Sequence, residues 1–228
     1  MGVDFVLFER LCDLSQRFQP QGRTLMLGRH NFRVQPKLER LYDRTWSQTG
    51  REGTWRDTLQ DDGYCETLMS RLGFGAMEAM DFSDYEGAAL LQDLSDPVPE
   101  ALEGQFDLIF DGGTLEHVFN VPVALASVFR MLKPGGRFVS ANGMNGWMGH
   151  GLYQFNPDLV WSFWQRMCGC KVHFCAGIEK TPQKRTRIID FPDPATSGRR
   201  LRLRTSKSDF PAGRVYLYYE VEKLPESV

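Results

Sequence analysis

Phe106-Asp107-Leu108-Ile109-Phe110-Asp111, then Gly112-Gly113-Thr114-Leu115-Glu116-His117-Val118, then Arg130-Met131-Leu132-Lys133-Pro134-Gly135-Gly136 is the stretch on which the fold turns. The first run is short, apolar and rich in bulky side chains, as a strand buried on both faces must be. Val121 to Leu132 carries apolar residues at helical spacing, Lys133-Pro134-Gly135-Gly136 is a turn, and Arg137 to Ser140 is the next apolar strand. Strand, helix and strand in that order make a parallel crossover unit.

The same rhythm extends outward. Val3 to Phe18 predicts an amphipathic helix, with Phe5, Phe8, Leu11, Leu14 and Phe18 on one face. Thr24 to Gly28 is a first strand, Lys37 to Trp46 a short helix, and the polar stretch Ser47 to Gly63 an exposed connection. Tyr64 to Leu72 reads as a helix stopped by Gly73, Ala76 to Met80 as a second strand ending at Asp81, and Ala88 to Leu91 as a third. Asn156-Pro157-Asp158 opens a helix, with Asn156 as N-cap and Pro157 in the first helical position. Lys171 to Cys175 and the alternating Arg214 to Lys223 complete the strands.

With 228 residues, one domain over 1–228 is the expectation, comprising an N-terminal helix in 1–22, an insertion in 33–63 and a basic loop or hairpin in 181–210. A net charge of -2 gives no global pull toward nucleic acid or an anionic membrane. No apolar run approaches the roughly 20 residues that span a bilayer, and the first residues lack the pattern of a secretory signal. Cys168, Cys170 and Cys175 cluster near His173, but the spacing is not that of a zinc site, so buried structural thiols are the preferred reading and a reduced, cytoplasmic setting follows.

In an open α/β sheet, ligands bind beyond the carboxyl ends of the strands. Asp81, closing the second strand, can accept two hydrogen bonds from a ribose diol, and Asp93, after the third, can accept from an adenine amine. Gly112 and Gly113 permit backbone to approach a ligand closely. Each alone also reads as a turn or cap residue; their joint order carries the weight.

The block FDLIFD, LEHV, RMLKPGG resembles the centre of the class I S-adenosylmethionine-dependent methyltransferases. The resemblance covers roughly residues 24–180 plus the last strand. It implies a Rossmann-like α/β fold with a seven-stranded, mainly parallel sheet ordered 3-2-1-4-5-7-6 and helices on both faces. It also implies S-adenosyl-L-methionine as cofactor and a small-molecule acceptor, while the charge balance and the lack of aromatics interleaved with the basic run argue against a membrane or nucleic-acid partner. Asp81 then matches the ribose-binding acid, Asp93 and Leu94 the adenine positions, and Asp111 with Gly112 the turn beside the methionine portion. Leu27, Gly28, Arg29 and Phe82 complete the donor-contacting set. The sequence departs from the family at its glycine loop: only Gly28 survives, Met26 replaces the acid, and His30 and Phe32 stand for later glycines. About 50 residues separate Gly28 from Asp81, where about 20 is usual. The absence of a G-x-G-x-x-G turn argues against a nicotinamide enzyme.

His150 and His117 are the candidate catalytic groups. His150 lies between Gly149 and Gly151 in a segment where Trp147, Tyr153 and Phe155 could wall an acceptor pocket, and its pKa suits a general base. A solvent-exposed loop histidine is the equal alternative. Glu116 and His117 resemble part of a magnesium set found in some relatives, but Gly113 replaces one ligand, so a loop-orienting role is preferred and no metal is expected. The basic run from Lys180 to Lys207 reads as a solvated hairpin, or as an anion site for a phosphorylated or nucleotide-linked acceptor. The competing function is a methyltransferase-like binding or partner protein that no longer uses the donor. The oligomeric state and the acceptor atom are not written in these motifs.

Overall fold

The structure is a computed structural model that describes residues 2–180, 186–198 and 213–226. Helix α1 (Phe5–Arg17) starts where Asp4 accepts the Leu7 N–H at 3.0 Å, satisfying one free donor of the first turn. Strand β1 (Arg23–Leu27) follows, then α2 (Glu39–Gln48) and α3 (Glu66–Met69), which widens into a π turn over Ser70–Phe74. Strands β2 (Met77–Asp81), β3 (Leu90–Leu91) and β4 (Phe106–Asp111) precede α4 (Val121–Met131) and the long β5 (Leu132–Asn145). Helix α5 (Pro157–Leu159) continues as Val160–Met167, followed by β6 (Lys171–Glu179), β7 (Ile188–Asp190), α6 (Pro194–Ser197) and β8 (Val215–Glu222).

The sheet has eight strands in the order β3-β2-β1-β4-β5-β8-β6-β7. β1 to β5 are parallel neighbours, whereas β8 runs antiparallel between β5 and β6. This corrects the expected seven strands: β7 adds an antiparallel edge beside β6, pairing Ala176 with Asp190 and Ile178 with Ile188. It falls inside the 181–210 segment expected to be a basic loop or hairpin, where three residues give almost no periodicity from which to read a separate strand. Lys184, Arg185, Arg199, Arg200, Arg202, Arg204 and Lys207 of the basic run lie outside the described residues.

Alternation along the strands divides the core into two layers, because successive side chains point to opposite faces. Met26, Leu108, Phe110, Val139, Tyr216 and Tyr218 face the layer that holds α1, α2 and α3. Leu25, Leu27, Ile109, Phe138, Leu217 and Tyr219 face the layer that holds α4 and the helix around Trp164. The stretch expected to be an exposed connection is partly core. Trp55 and Thr58 are buried, and the Trp55 ring meets Tyr42 at 5.5 Å between centroids. The expected Asn156 cap is also corrected: Pro157 begins the helix, but the Asn156 side chain makes no capping hydrogen bond. Among the described residues, no helix is long and apolar enough to cross a membrane, and all five cysteines are buried, none of them in a disulfide.

Asp111 ties the end of β4 to β5. It is fully buried. Its Oδ1 accepts the N–H groups of Gly113 (3.2 Å), Thr114 (2.7 Å) and Leu115 (3.4 Å), and its Oδ2 accepts from Ser140 Oγ (3.0 Å) and Asn142 Nδ2 (2.6 Å). Burial pushes its pKa up, and the donors from Asn142, Thr114 and Ser140 oppose that shift. Asp111→Asn keeps the shape but turns one oxygen into an N–H₂ facing donors. We expect a loss of about 2–3 kcal/mol in denaturant unfolding, the cost of unsatisfied buried donors. A change below about 0.5 kcal/mol would remove Asp111 from this role.

Candidate functional site

A cavity of about 420 Å³ opens beyond the carboxyl ends of β1, β2, β3 and β4, within the range of small-ligand pockets. Gly28 supplies its floor at φ +69°, a conformation that favours glycine. A Cβ there would lie 2.7 Å from Thr114 Oγ1, which itself donates to the Leu27 carbonyl at 2.5 Å. Asp81 closes β2 and Asp93 follows β3, so two carboxylates reach the same space from adjacent strand ends. Phe82, 78% exposed, and Phe119, 76% exposed, present apolar faces at its wall.

Of the sequence-predicted donor contacts, Gly28, Arg29, Asp81, Phe82, Asp93 and Leu94 line this cavity. Leu27, Asp111 and Gly112 do not. Leu27 is core, Asp111 faces the turn beneath, and the Gly112 N–H donates to His30 Nε2 at 3.2 Å. Gly113, read as permitting close backbone approach, lines it too, and Thr114, Gln92, Ser95 and Phe119 line it without having been singled out; their only sequence signal was proximity to the chosen strand ends.

The altered glycine loop has a packing reason. Phe32 is buried and stacks on Phe8 of α1 at 5.7 Å, and Met26 is buried under the sheet. His30 is buried against Phe110, edge to face at 5.4 Å. The chain after Gly28 thus runs along the cavity at Arg29 and His30 and enters the core at Phe32. Arg29 is held by three groups: Glu66 (2.5 Å), Asp62 (2.8 Å) and the Glu86 carbonyl (2.9 Å), with its guanidinium 3.8 Å above Tyr64. Its charge is matched there, which lowers the positive potential the cavity would otherwise feel.

A second cluster adjoins the cavity through His117, which lines it. Glu116 is buried; its Oε2 accepts the Gly143 N–H, and its Oε1 lies 3.0 Å from His150 Nε2 and 3.8 Å from His117 Nε2. Asn142 Oδ1 accepts the Glu116 N–H at 3.1 Å, so one amide links Glu116 to Asp111. The Glu116 carbonyl accepts from Leu152 (2.7 Å) and Tyr153 (3.1 Å), fastening the 147–155 loop to this point. Burial raises the Glu116 pKa to about 7, with the Gly143 N–H opposing the rise and the Asp111 charge adding to it. Burial lowers His117, helped by His150, and lowers His150, helped by Arg214 and Lys180.

Three side chains expected to wall an acceptor pocket are placed differently from one another. Trp147 is buried, donates to the Val215 carbonyl at 2.9 Å and packs on Tyr216 and His150. Phe155 is buried in the opposite core layer. Tyr153 is 37% exposed and donates to the Phe119 carbonyl at 2.8 Å. Sequence reasoning missed Glu116 as the partner of His150, since 34 residues separate them.

The methyltransferase domain family matches residues 77–140, from β2 into β5. No curated protein matches the chain. Among solved structures, a chain of the Haloferax volcanii complex containing the Trm112 methyltransferase activator is 12% identical, with 95% of this chain and 87% of that one covered, at a TM-score of 0.51. The Burkholderia thailandensis 1,6-didemethyltoxoflavin-N1-methyltransferase, with 1,6-didemethyltoxoflavin and S-adenosylhomocysteine bound, is 14% identical over 97% of this chain and 80% of that one, at a TM-score of 0.47. The Haloferax likeness is one of fold.

Gly28→Ala tests the cavity floor. Left-handed backbone costs an L residue roughly 1–2 kcal/mol, and the added Cβ must also displace Thr114. We expect an unfolding free energy lower by at least about 1 kcal/mol, measured by denaturant titration. An unchanged value would show that the floor is not held as described.

Proposed function

We propose that the chain is a class I S-adenosylmethionine-dependent methyltransferase acting on a small polar metabolite, a sugar or a phosphorylated or nucleotide-linked acceptor, a reading supported by the methyltransferase-domain match over residues 77–140. The carrying observation is that Gly28, Asp81 and Asp93 meet around one cavity at adjacent strand ends, although they are far apart in sequence. The residues present fit an adenosine-bearing sulfonium. Asp81 would hold the ribose diol, Asp93 with Leu94 the adenine, and Phe82 an adenine face. The glycine at 28 leaves room that a Cβ would fill. Carboxylates near the cavity, with Arg29 already paired, suit a cationic ligand.

When bound, the donor supplies a methyl group open to in-line displacement. The chain's work is to bind, orient and remove a proton. His150, hydrogen-bonded to Glu116, would take the proton of an acceptor hydroxyl or amine, and His117 would direct that group toward the cavity. Trp147 would support the His150 ring, with Tyr153 at the rim and Phe155 buttressing the loop from the core. Lys180 and Arg214, both over the Trp147 ring at 4.8 and 4.9 Å, favour an acceptor that carries an anionic group. The whole chain is read as one methyltransferase unit working in the cytoplasm.

A second reading, a binding or partner protein without donor use, is favoured by the core-packed glycine loop. Calorimetric titration with S-adenosylhomocysteine separates the two. Binding is expected, and Asp81→Ala should weaken it more than about tenfold, the loss of a charged acceptor. No heat up to about millimolar ligand would favour the partner reading.

His150→Gln should leave S-adenosylhomocysteine affinity nearly unchanged while lowering kcat by about 10²-fold, the scale of a lost general base. Wild-type turnover in this variant would reduce His150 to a loop residue.

A further inference from the structure

Glu116 and His117 come from the turn after β4, and His150 from the loop after β5. Their ligand atoms nonetheless lie within 4.8 Å of one another, and among the described residues this is the one such group. Glu116 Oε1 is 3.0 Å from His150 Nε2 and 3.8 Å from His117 Nε2. Ligands about 2.0–2.2 Å from a tetrahedral ion stand roughly 3.3–3.5 Å apart, so two of these separations straddle the required value. We propose that Glu116, His117 and His150 bind a divalent first-row transition ion, zinc by preference, with an open coordination position toward the cavity.

The donor set selects the ion. Two imidazoles and one carboxylate suit zinc and its neighbours, whereas magnesium and calcium prefer all-oxygen shells. Three protein ligands leave a fourth position for water or an acceptor, the pattern of a reactive rather than a structural zinc. His117 lines the cavity, so the site adjoins it.

Outer contacts hold the set in place, as metal ligands require. Glu116 Oε2 accepts the Gly143 N–H, leaving Oε1 for the ion. The Glu116 N–H is bound by Asn142 Oδ1. Its carbonyl anchors Leu152 and Tyr153, and hence the loop bearing His150. Gly149 (φ +72°) and Gly151 (φ +70°) flank His150, so a shift of a few tenths of an ångström needs little side-chain repacking. The nearest cations do not fill the gap: Lys180 is paired with Asp4 at 3.3 Å, and both Lys180 and Arg214 stack on Trp147.

The ion's binding stands on these residues alone; its role in chemistry rests on the methyl-transfer reading. There an acceptor oxygen would coordinate at the open position and release its proton to solvent. The oxygen–carbon bond then forms as the sulfur–carbon bond breaks, and the electron pair stays on sulfur. A coordinated His150 Nε2 is not available as a base, so the ion and the His150 base are alternatives. Turnover of a His150 variant falls under both and does not separate them.

Metal binding does. Protein freed of metal by chelator and dialysis is titrated with zinc against a chromogenic chelator, and cobalt is added separately for its visible spectrum. We expect one equivalent of zinc with a Kd at or below about micromolar, and cobalt bands of a four- or five-coordinate site. Glu116→Gln, His117→Ala and His150→Ala should each weaken zinc at least about tenfold. His173→Ala, whose ring pairs with Glu222 at 2.6 Å, should not. Circular dichroism checks that the variants fold, and the wild-type cobalt spectrum stands if any does not. No saturable binding up to about 100 µM zinc, or binding untouched by all three substitutions, overturns the site. S-adenosylhomocysteine titration of the same samples keeps the outcomes apart. Donor binding without zinc sinks only the metal site, and zinc without donor binding sinks only the methyltransferase reading.

Discussion

The carboxylate of Asp111 is surrounded by five donors in a place no water reaches. A buried charge must be matched in this way or it would unfold the region around it. Matching it fixes the turn from Gly112 to Leu115, because three of the donors are that turn's own N–H groups. It also fixes the end of β5, through Ser140 and Asn142. The two parts of the site follow. Gly113 and Thr114 are set against Gly28 at the cavity floor. Asn142, holding Asp111 with its amide nitrogen, uses its amide oxygen to hold Glu116.

A chain of short polar links thus runs from the sheet to the corner where Glu116 meets the two histidines. Asp111 orders Asn142, Asn142 orders Glu116, and Glu116 orders both His150 and the loop carrying it. Each link is buried or half-buried, so each is stronger than it would be in water and costly to break. Glu116 carries two loads at once, since its backbone fastens the loop and its side chain faces the histidines.

The other side of the cavity is built by a different force. The loop after β1 lacks the glycines that would let it curl over a ligand, and apolar packing takes their place. Phe32 joins Phe8, Tyr42 and Trp46 in one aromatic cluster. The 33–63 insertion closes over it with Trp55. Arg29 then bridges back through Glu66, Asp62 and the Glu86 carbonyl. The 33–63 segment is therefore what steadies the loop after β1. It explains the long separation between Gly28 and Asp81.

Residue order alone determined the parallel sheet and its strand-end carboxylates. The apolar FDLIFD run and the helical spacing from Val121 mark the crossover unit, Asp81 closes β2 and Asp93 follows the short β3, whereas Lys133–Gly136, read as a turn, belongs to β5, which starts at Leu132. Strand ends converge by topology, so these residues could be assigned to one cavity without coordinates. Tertiary structure alone decided the rest. Asp111 read as a ligand contact, but only packing shows that its carboxylate turns inward. Trp147 and Phe155 read as pocket walls, but a glycine-rich loop has no period from which to tell which aromatic is buried. Strand β7 is too short to carry a pattern. The meeting of Glu116, His117 and His150 is set by hydrogen bonds between loops 34 residues apart, and such distances are decided by how a chain closes on itself.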